Sequence, residues 1–245
     1  MSKYDNDLLK LPFYKNHAYM LPFVGDDYDL SKHKKLLLVG DSHYMPDGTI
    51  VHHDVSTWYM NPTVIHNSKE ENNCATRKTW GVWRNTTFCN RVQETMDLAT
   101  GKRDAWKSVA FYNYFLRPAD ESEQNMQKFW SKHGGEKDDR EYAIKNLVDV
   151  IGILKPNLIV FMSRLVKDCV EGVFDDKGKR NSRYPGDYWR CFKQDFWDWT
   201  KGKNIDYIYT NHPSEPCWFI TMEKYAKAEG KRSCDFFKEW LCTNW

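Results

Sequence analysis

The sequence LLLVGDSHY at residues 36–44 joins a short apolar run to a glycine and four side chains that can carry chemistry. Three further apolar segments of similar length follow, namely VAFY at 109–112, LIVF at 158–161 and the segment 207–209. Near-continuous apolar runs of this length are typical of strands that are covered on both faces. We therefore predict a central sheet of four mostly parallel strands.

Amphipathic segments lie between these runs. Apolar residues recur at helical spacing over 88–99, 144–154, 165–173, 189–199 and 236–241. The helix over 144–154 should end before Lys155-Pro156, because a residue that precedes proline avoids the α region. Alternating strands and helices predict an α/β fold, a three-layer α/β/α sandwich. We expect one domain over residues 1–245, with an N-terminal extension to about residue 35.

Composition excludes several classes of protein. The chain carries 36 Lys and Arg against 34 Asp and Glu, so it is not built mainly as a polycation for nucleic acid. Aromatic residues make up 16% of the chain and must supply much of the core, which excludes a disordered protein. No apolar run approaches the ~18 residues of a membrane span. Without a signal-peptide pattern at the start, we predict a cytoplasmic protein.

Cysteines, histidines and carboxylates are the side chains of this sequence that could bind a metal ion. Seven cysteines are widely spaced and form no CxxC pair, which argues against a disulfide framework or a zinc ribbon. Histidines and carboxylates are dense after the first strand, but sequence spacing does not show whether they converge on one point. We predict no metal ligands and no organic cofactor. The side chains weighed for a metal are Asp41, His43, Asp47, His52, His53, Asp54 and His66.

Polar side chains follow each of the four predicted strands. In an open parallel sheet, ligands bind beyond the carboxyl ends of the strands, so these side chains should share one pocket. Three aromatic residues, Trp80, Trp83 and Phe88, are candidate walls of that pocket and equally good core residues. The strand-end residues are Asp41, Ser42, His43 and Tyr44, then Asn113, then Ser163 and Arg164, and finally His212 and Ser214.

The order of these segments resembles the uracil-DNA glycosylase superfamily. The resemblance covers four short stretches between residues 36 and 214: LLLVGDSHY, VAFYNYFLRP, LKPNLIVFMSR and YTNHPS. It implies DNA as the partner, extrusion of a base from the stack, and hydrolysis of the N-glycosidic bond without a cofactor.

The resemblance also implies a role for individual residues. Asn113 matches the amide that reads the pyrimidine edge, and His212 matches the histidine that stabilises negative charge on the departing base. Asp41 matches a carboxylate that positions water or stabilises the cationic sugar. Tyr44 matches the aromatic residue that closes the pocket against a 5-methyl group.

Several positions depart from the family pattern. Ser42 stands where the best-known branch has a water-activating Asp, His43 stands where Pro is usual, and Ser163 replaces a usual Gly. A leucine wedge after the last motif is not evident, and Trp218 or Phe219 would have to take that role. Catalytic roles are assigned to Asp41, Ser42 and His212, and the remaining strand-end residues are assigned to substrate binding.

Two other functions fit the same residues. VGDSHY also resembles the nucleophile block of the GDS hydrolases, in which Ser42 would attack an ester and His212 would act as the base. That family's Asp before the histidine is missing, because position 209 is Tyr. The third reading is a binder of nucleic acid or nucleobases that keeps the pocket without the chemistry.

Overall fold

The computed structural model describes residues 2–30, 32–61, 73–83, 86–123, 125–171, 202–219 and 230–245. Within these ranges the chain forms seven strands: β1 (Phe23–Val24), β2 (Leu36–Gly40), β3 (Tyr44–Met45), β4 (Val109–Asn113), β5 (Ala119–Asp120), β6 (Leu158–Phe161) and β7 (Asp206–Tyr209).

Eight α-helices accompany the strands in the described part of the chain. They are α1 (Asp5–Leu8), α2 (Pro12–Asn16), α3 (Val55–Met60), α4 (Thr87–Thr100), α5 (Met126–His133), α6 (Glu136–Leu154), α7 (Arg164–Glu171) and α8 (Ser233–Asn244). A π-helical segment covers Lys78–Trp83, and short 3₁₀ turns cover Ala18–Met20, Ala105–Ser108 and Pro216–Phe219. Among these residues no helix is both long and apolar enough to cross a bilayer.

The main sheet has the order β1-β4-β2-β6-β7. The four predicted strands are all present and pair in parallel, with Gly40 opposite Asn113 and Val39 opposite Phe161. The predicted count of four was wrong. A fifth strand, β1, pairs antiparallel with β4 at the sheet edge, where Phe23 lies opposite Phe111.

Helices cover both faces of this sheet. Leu37 and Val39 of β2 belong to one core layer, whereas Leu36 and Leu38 belong to the other. Alternate burial on both faces explains why the strands read as continuous apolar runs. The predicted three-layer α/β/α sandwich is confirmed.

Most predicted helices are also confirmed. Helix α6 ends at Leu154, and Lys155 then takes a left-handed conformation with φ of 49° directly before Pro156. The apolar stripes over 88–99 and 236–241 fall on α4 and α8, and the stripe over 165–173 begins on α7. The stripe predicted over 189–199 lies outside the described residues.

The N-terminal segment packs on the sandwich. Tyr14 and Tyr28 are fully buried in the same core layer as Leu37, and Arg77 forms a bidentate ion pair with Asp5. The segment that was expected to be an extension therefore contributes both a strand and core side chains.

A two-stranded sheet extends the motif after β2. Strand β3 pairs in parallel with β5, so that Tyr44 lies opposite Ala119 and Met45 opposite Asp120. This small sheet connects the loop after β2 to the loop after β4 at the carboxyl edge of the main sheet.

Candidate active site

Asn113 packs its amide over Gly40 at the carboxyl edge of the sheet. A Cβ on Gly40 would lie 2.3 Å from Asn113 Oδ1 and 3.0 Å from Phe111 Cζ, so only glycine fits there. Phe111 and Asn113 are two residues apart on β4, so both side chains lie on the same face of the strand. The glycine therefore makes room for an amide that is held between two strand ends.

Asp41 is positioned by the neighbouring strand. The Ser163 hydroxyl, directly beyond β6, donates a hydrogen bond of 2.6 Å to Asp41 Oδ2. The same hydroxyl oxygen accepts from the Val166 backbone N–H in the first turn of α7. Because β2 and β6 are paired in parallel, residues just beyond their carboxyl ends meet.

The second carboxylate oxygen of Asp41 is buried without a hydrogen-bond partner among the described residues. Burial raises the pKa of Asp41 to about 6, the Ser163 hydrogen bond opposes the rise, and the nearby negative charge of Glu215 adds to it. A buried oxygen without a partner costs free energy unless a ligand or water satisfies it. This arrangement is typical of a functional carboxyl group.

His212 follows β7 and is held by its own loop. The Ser214 backbone N–H donates to His212 Nδ1 at 3.3 Å. Burial lowers the pKa of His212 to about 4. The ring is therefore neutral at pH 7, and because Nδ1 accepts a hydrogen bond, Nε2 carries the proton.

Two phenylalanines connect His212 to the rest of the sheet edge. The Phe88 ring lies 5.2 Å from the His212 ring and 5.5 Å from the Phe111 ring. The Phe111 ring in turn lies over Gly40, on the same side of the sheet as the Asn113 amide. The imidazole and the amide are thus joined by a continuous aromatic wall.

Tyr44 and Glu215 complete the electrostatic surroundings. Burial raises the pKa of Tyr44 to about 12, and the negative charges of Asp41 and Glu215 act in the same direction. Glu215 also influences the pKa of His212. The structure therefore brings Asp41, Tyr44, Asn113, Ser163 and His212 to one edge of the sheet.

His43 and Ser42 make no catalytic pair. His43 is buried, donates from Nδ1 to the Asn73 carbonyl at 3.2 Å, and has Nε2 3.0 Å from Thr76 Oγ1. Both ring nitrogens of His43 are thus engaged in contacts within the protein. Ser42 is also buried, and no histidine of the described chain is hydrogen-bonded to its hydroxyl.

The remaining predicted residues have simpler surroundings. Arg164 and Ser214 are exposed, and Ser214 acts through its backbone N–H. Trp80 is a core residue that stacks on Phe111 at 4.5 Å, and Trp218 is fully buried. The side chain of Trp83 lies outside what the structure describes. Phe219 is 46% exposed, with the Arg91 guanidinium 4.8 Å above its ring.

The histidines and carboxylates that follow the first strand lie in different surroundings. His52 and His53 lie 2.8 Å and 3.1 Å from the Asp120 carboxylate. Asp54 caps α3 by accepting from the Thr57 N–H, and Asp47 accepts from the Ser122 N–H. His66 lies outside the described residues.

Sequence reasoning missed Phe111 and Glu215 as neighbours of the site. Phe111 reads as one more apolar strand residue, although its position two residues before Asn113 places it on the same face. Glu215 follows the predicted NHPS motif, and only the folded loop shows its influence on the pKa of Asp41, Tyr44 and His212.

No protein-family model matches this sequence, and no curated protein is significantly similar to it. The function therefore has to be argued from the geometry of the site.

Proposed function

We propose that this protein hydrolyses the N-glycosidic bond of a deaminated or damaged base in DNA. The observation that carries the proposal is the meeting of three groups at one sheet edge: a carboxylate with a free buried oxygen, an amide over a glycine, and a neutral imidazole. Each group supplies a different requirement of the reaction. Resemblance of four strand-end motifs to uracil-DNA glycosylases points to the same chemistry.

Asp41 would act on the sugar side of the bond. With a pKa of about 6, the carboxyl group is mostly ionised at pH 7 yet remains in a poorly hydrated place. An anion in such surroundings stabilises a developing oxocarbenium ion more strongly than an exposed one. Its free Oδ1 is the atom available to orient the attacking water or to face the sugar.

Asn113 would select the base. A side-chain amide both donates and accepts, so one residue can match a carbonyl and an adjacent N–H of a uracil-like edge. The contact with Gly40 limits where the amide can move, which favours a fixed orientation. Phe88 and Phe111 supply an aromatic surface beside it.

His212 would stabilise the departing base. Since Ser214 N–H occupies Nδ1, the protonated Nε2 is the donor that can reach negative charge developing on a base oxygen. A neutral donor suits this role at pH 7 because it needs no proton uptake before the reaction.

Phe219 would assist extrusion of the base. Among the described residues after His212, it is a large exposed apolar side chain, and Arg91 lies against its ring while donating a hydrogen bond of 2.6 Å to the Pro213 carbonyl. An aromatic side chain next to a cation can enter the base stack and meet the phosphate backbone.

A cleavage screen tests this function. Single- and double-stranded oligonucleotides carrying uracil, hypoxanthine, xanthine or oxidised bases would be incubated with the full chain and then treated with alkali to reveal abasic sites. We expect cleavage of at least one substrate, loss of it in D41N and H212A, and retention in D206N. Asp206 is the matched control because it is an exposed carboxylate at the amino end of β7, whereas the site lies at the carboxyl ends of the strands.

The screen also separates the other readings. Hydrolysis of short aryl esters that is abolished by S42A would indicate the esterase. Salt-dependent oligonucleotide binding without any turnover would indicate the binder, and either outcome would overturn the glycosylase proposal.

A further inference from the structure

A second cluster of ionisable groups lies beside the small sheet, apart from the residues assigned above. Asp120 at the end of β5, Glu123 just after it and His133 at the end of α5 bring one ligand atom each within 4.8 Å of the others. His52 and His53 approach the same Asp120 carboxylate from the loop after β3. Two groups of possible ligands, His52 with His53 and Glu123 with His133, therefore share the Asp120 carboxylate.

The distances separate two kinds of contact in this cluster. His52 Nε2 is 2.8 Å from Asp120 Oδ1, which is an ordinary hydrogen bond. His133 Nε2 is 3.4 Å from Asp120 Oδ2 and 3.5 Å from Glu123 Oε1, which is too long for a good hydrogen bond. Two ligands bound at 2.0–2.1 Å to a tetrahedral metal lie about 3.3–3.4 Å apart, which matches these separations.

Asp120 is held by His52 and His53, and Glu123 Oε1 lies 2.8 Å from Lys132 Nζ, but other polar atoms of this cluster are buried without a partner. His133 Nε2 and Glu123 Oε2 are inaccessible to solvent and have no hydrogen bond in the described chain. Glu123 as a whole is 9% exposed. His133 Nε2 thus lies 3.4 Å and 3.5 Å from two carboxylate oxygens without a hydrogen bond to either. Such unsatisfied polar atoms require an explanation.

The surroundings hold the ligands in place. Asp120 Oδ1 is fixed by His52, whose ring stacks on Phe129 at 5.3 Å with the planes 10° apart. Arg117, fully buried, donates to the His52 and His53 carbonyls at 3.3 and 3.0 Å. Metal sites rely on such outer contacts to orient their ligands.

We infer that Asp120, Glu123 and His133 bind a divalent transition-metal ion of the zinc class, with His52 as a positioning residue. Two carboxylate oxygens and one imidazole nitrogen leave at least one coordination position open. His53 Nε2 lies 3.1 Å from Asp120 Oδ2, close to the proposed ligands. The site is distinct from the proposed glycosidase residues and does not depend on them.

Lys132 competes with the metal for this place. Its ammonium lies 2.8 Å from Glu123 Oε1 and 3.9 Å from Asp120 Oδ2, while its side chain is 60% exposed. An exposed lysine can turn into solvent when a divalent ion binds. Removing its charge should therefore strengthen metal binding.

Zinc and cobalt titrations of the full chain test the inference. After treatment with EDTA and exchange into metal-free buffer, Zn²⁺ is titrated against a fluorescent chelator. We expect one Zn²⁺ per chain, a Kd raised at least about tenfold in H133Q and E123Q, and a lowered Kd in K132M. H33Q, which removes a histidine beside Trp245 at the other end of the sheet, should bind like the wild type.

Co²⁺ provides a readout that does not depend on the variants folding. The wild-type chain should show the visible absorption of a low-coordinate Co²⁺ site without a thiolate charge-transfer band. A thiolate band would place the metal on the free cysteines and overturn the inference. Equal Zn²⁺ affinity in the wild type, H133Q and H33Q would overturn it as well.

Discussion

The Ser163 hydroxyl donates a 2.6 Å hydrogen bond to one oxygen of Asp41, while the other oxygen of the same carboxylate is buried without a partner. One oxygen thus fixes the group and the other is available to a ligand. The two residues lie 122 positions apart and meet because their strands are neighbours in the sheet. Their contact fixes the Asp41 carboxylate at the carboxyl edge of the sheet and leaves its Oδ1 without a partner among the described residues.

Replacing Ser163 by alanine should raise the pKa of Asp41 further above its ordinary value. The hydroxyl stabilises the ionised form, so its loss favours the protonated form. The acid limb of the pH–rate profile should then move to higher pH. Helix α7 also loses its N-terminal contact, which should cost about 1 kcal/mol of unfolding free energy.

A pH–rate series on the wild type and S163A measures the first effect, and urea unfolding measures the second. An acid limb that does not move would show that Asp41 is not the titrating group.

Replacing Gly40 by alanine should displace Asn113. The new methyl group would lie 2.3 Å from Asn113 Oδ1, so the amide must move or the strands must separate. We expect a cost of about 1–3 kcal/mol in unfolding free energy and reduced discrimination between bases. G152A is the matched control, since a Cβ there meets nothing within 4 Å on an exposed helix face, and it should stabilise the protein by about 0.5–1 kcal/mol. Similar effects of both changes on stability and selectivity would contradict the assigned contact.

His212 should matter more for turnover than for affinity. H212A removes the donor to the departing base, so the single-turnover rate should fall roughly 10²–10³-fold. H212Q retains an N–H donor and should recover part of that loss. Fluorescence anisotropy on the same oligonucleotide should give nearly unchanged Kd values, and equal losses of rate and affinity would indicate a binding role instead.

Stability should fall as the pH drops from about 6.5 to about 4. Burial lowers the pKa of His17, His43, His52 and His212 to about 4, so the unfolded chain binds protons in this interval that the folded chain does not bind. Asp41 acts in the opposite direction between about 4 and 6, because its raised pKa makes the folded form bind a proton first. The four histidines outweigh the opposing contribution of Asp41.

Unfolding midpoints in urea between pH 4 and pH 7 measure this dependence. H17Q should flatten the slope in the same interval, because one of the titrating groups is removed. A slope unchanged by that substitution would contradict the protonation account.

The buried ion pair between Arg117 and Asp139 should contribute strongly to the free energy of unfolding. Both side chains are fully buried, and Asp139 also accepts hydrogen bonds from Tyr59 and Trp130. D139N leaves the guanidinium without a counter-charge and should cost about 3–5 kcal/mol. E141Q, which removes a largely exposed partner of Lys137, should cost less than about 1 kcal/mol. Comparable losses in urea unfolding would contradict this difference.

Much of the fold could be predicted because strands that are buried on both faces appear in the sequence as continuous apolar runs. The runs at 36–39, 109–112, 158–161 and 207–209 fall on strands, and proline after Lys155 marks the end of α6. Strand β1 has no such apolar run. It is two residues long, follows Pro22, and is set by pairing with Ala110 and Phe111.

Only the placement of the candidate site residues could be predicted, because parallel strands end at the same edge of the sheet. The carboxyl edge holds Asn113 at the end of β4 and, just beyond other strands, Asp41, Ser163 and His212. His43 follows the same strand but turns into contacts with Asn73 and Thr76, which depend on the tertiary path of the chain. The Asp120 cluster was missed for a similar reason, since His133 comes from a separate helix and has no local spacing to Asp120.

The most direct test of the account is the rate at which uracil is released from a single-stranded oligonucleotide under single-turnover conditions, measured for the wild type and D41N. The account predicts release by the wild type, a rate at least roughly 100-fold lower in D41N, and similar affinity of both for the oligonucleotide. Equal rates, or no base release by the wild type from any oligonucleotide in the screen, would contradict it.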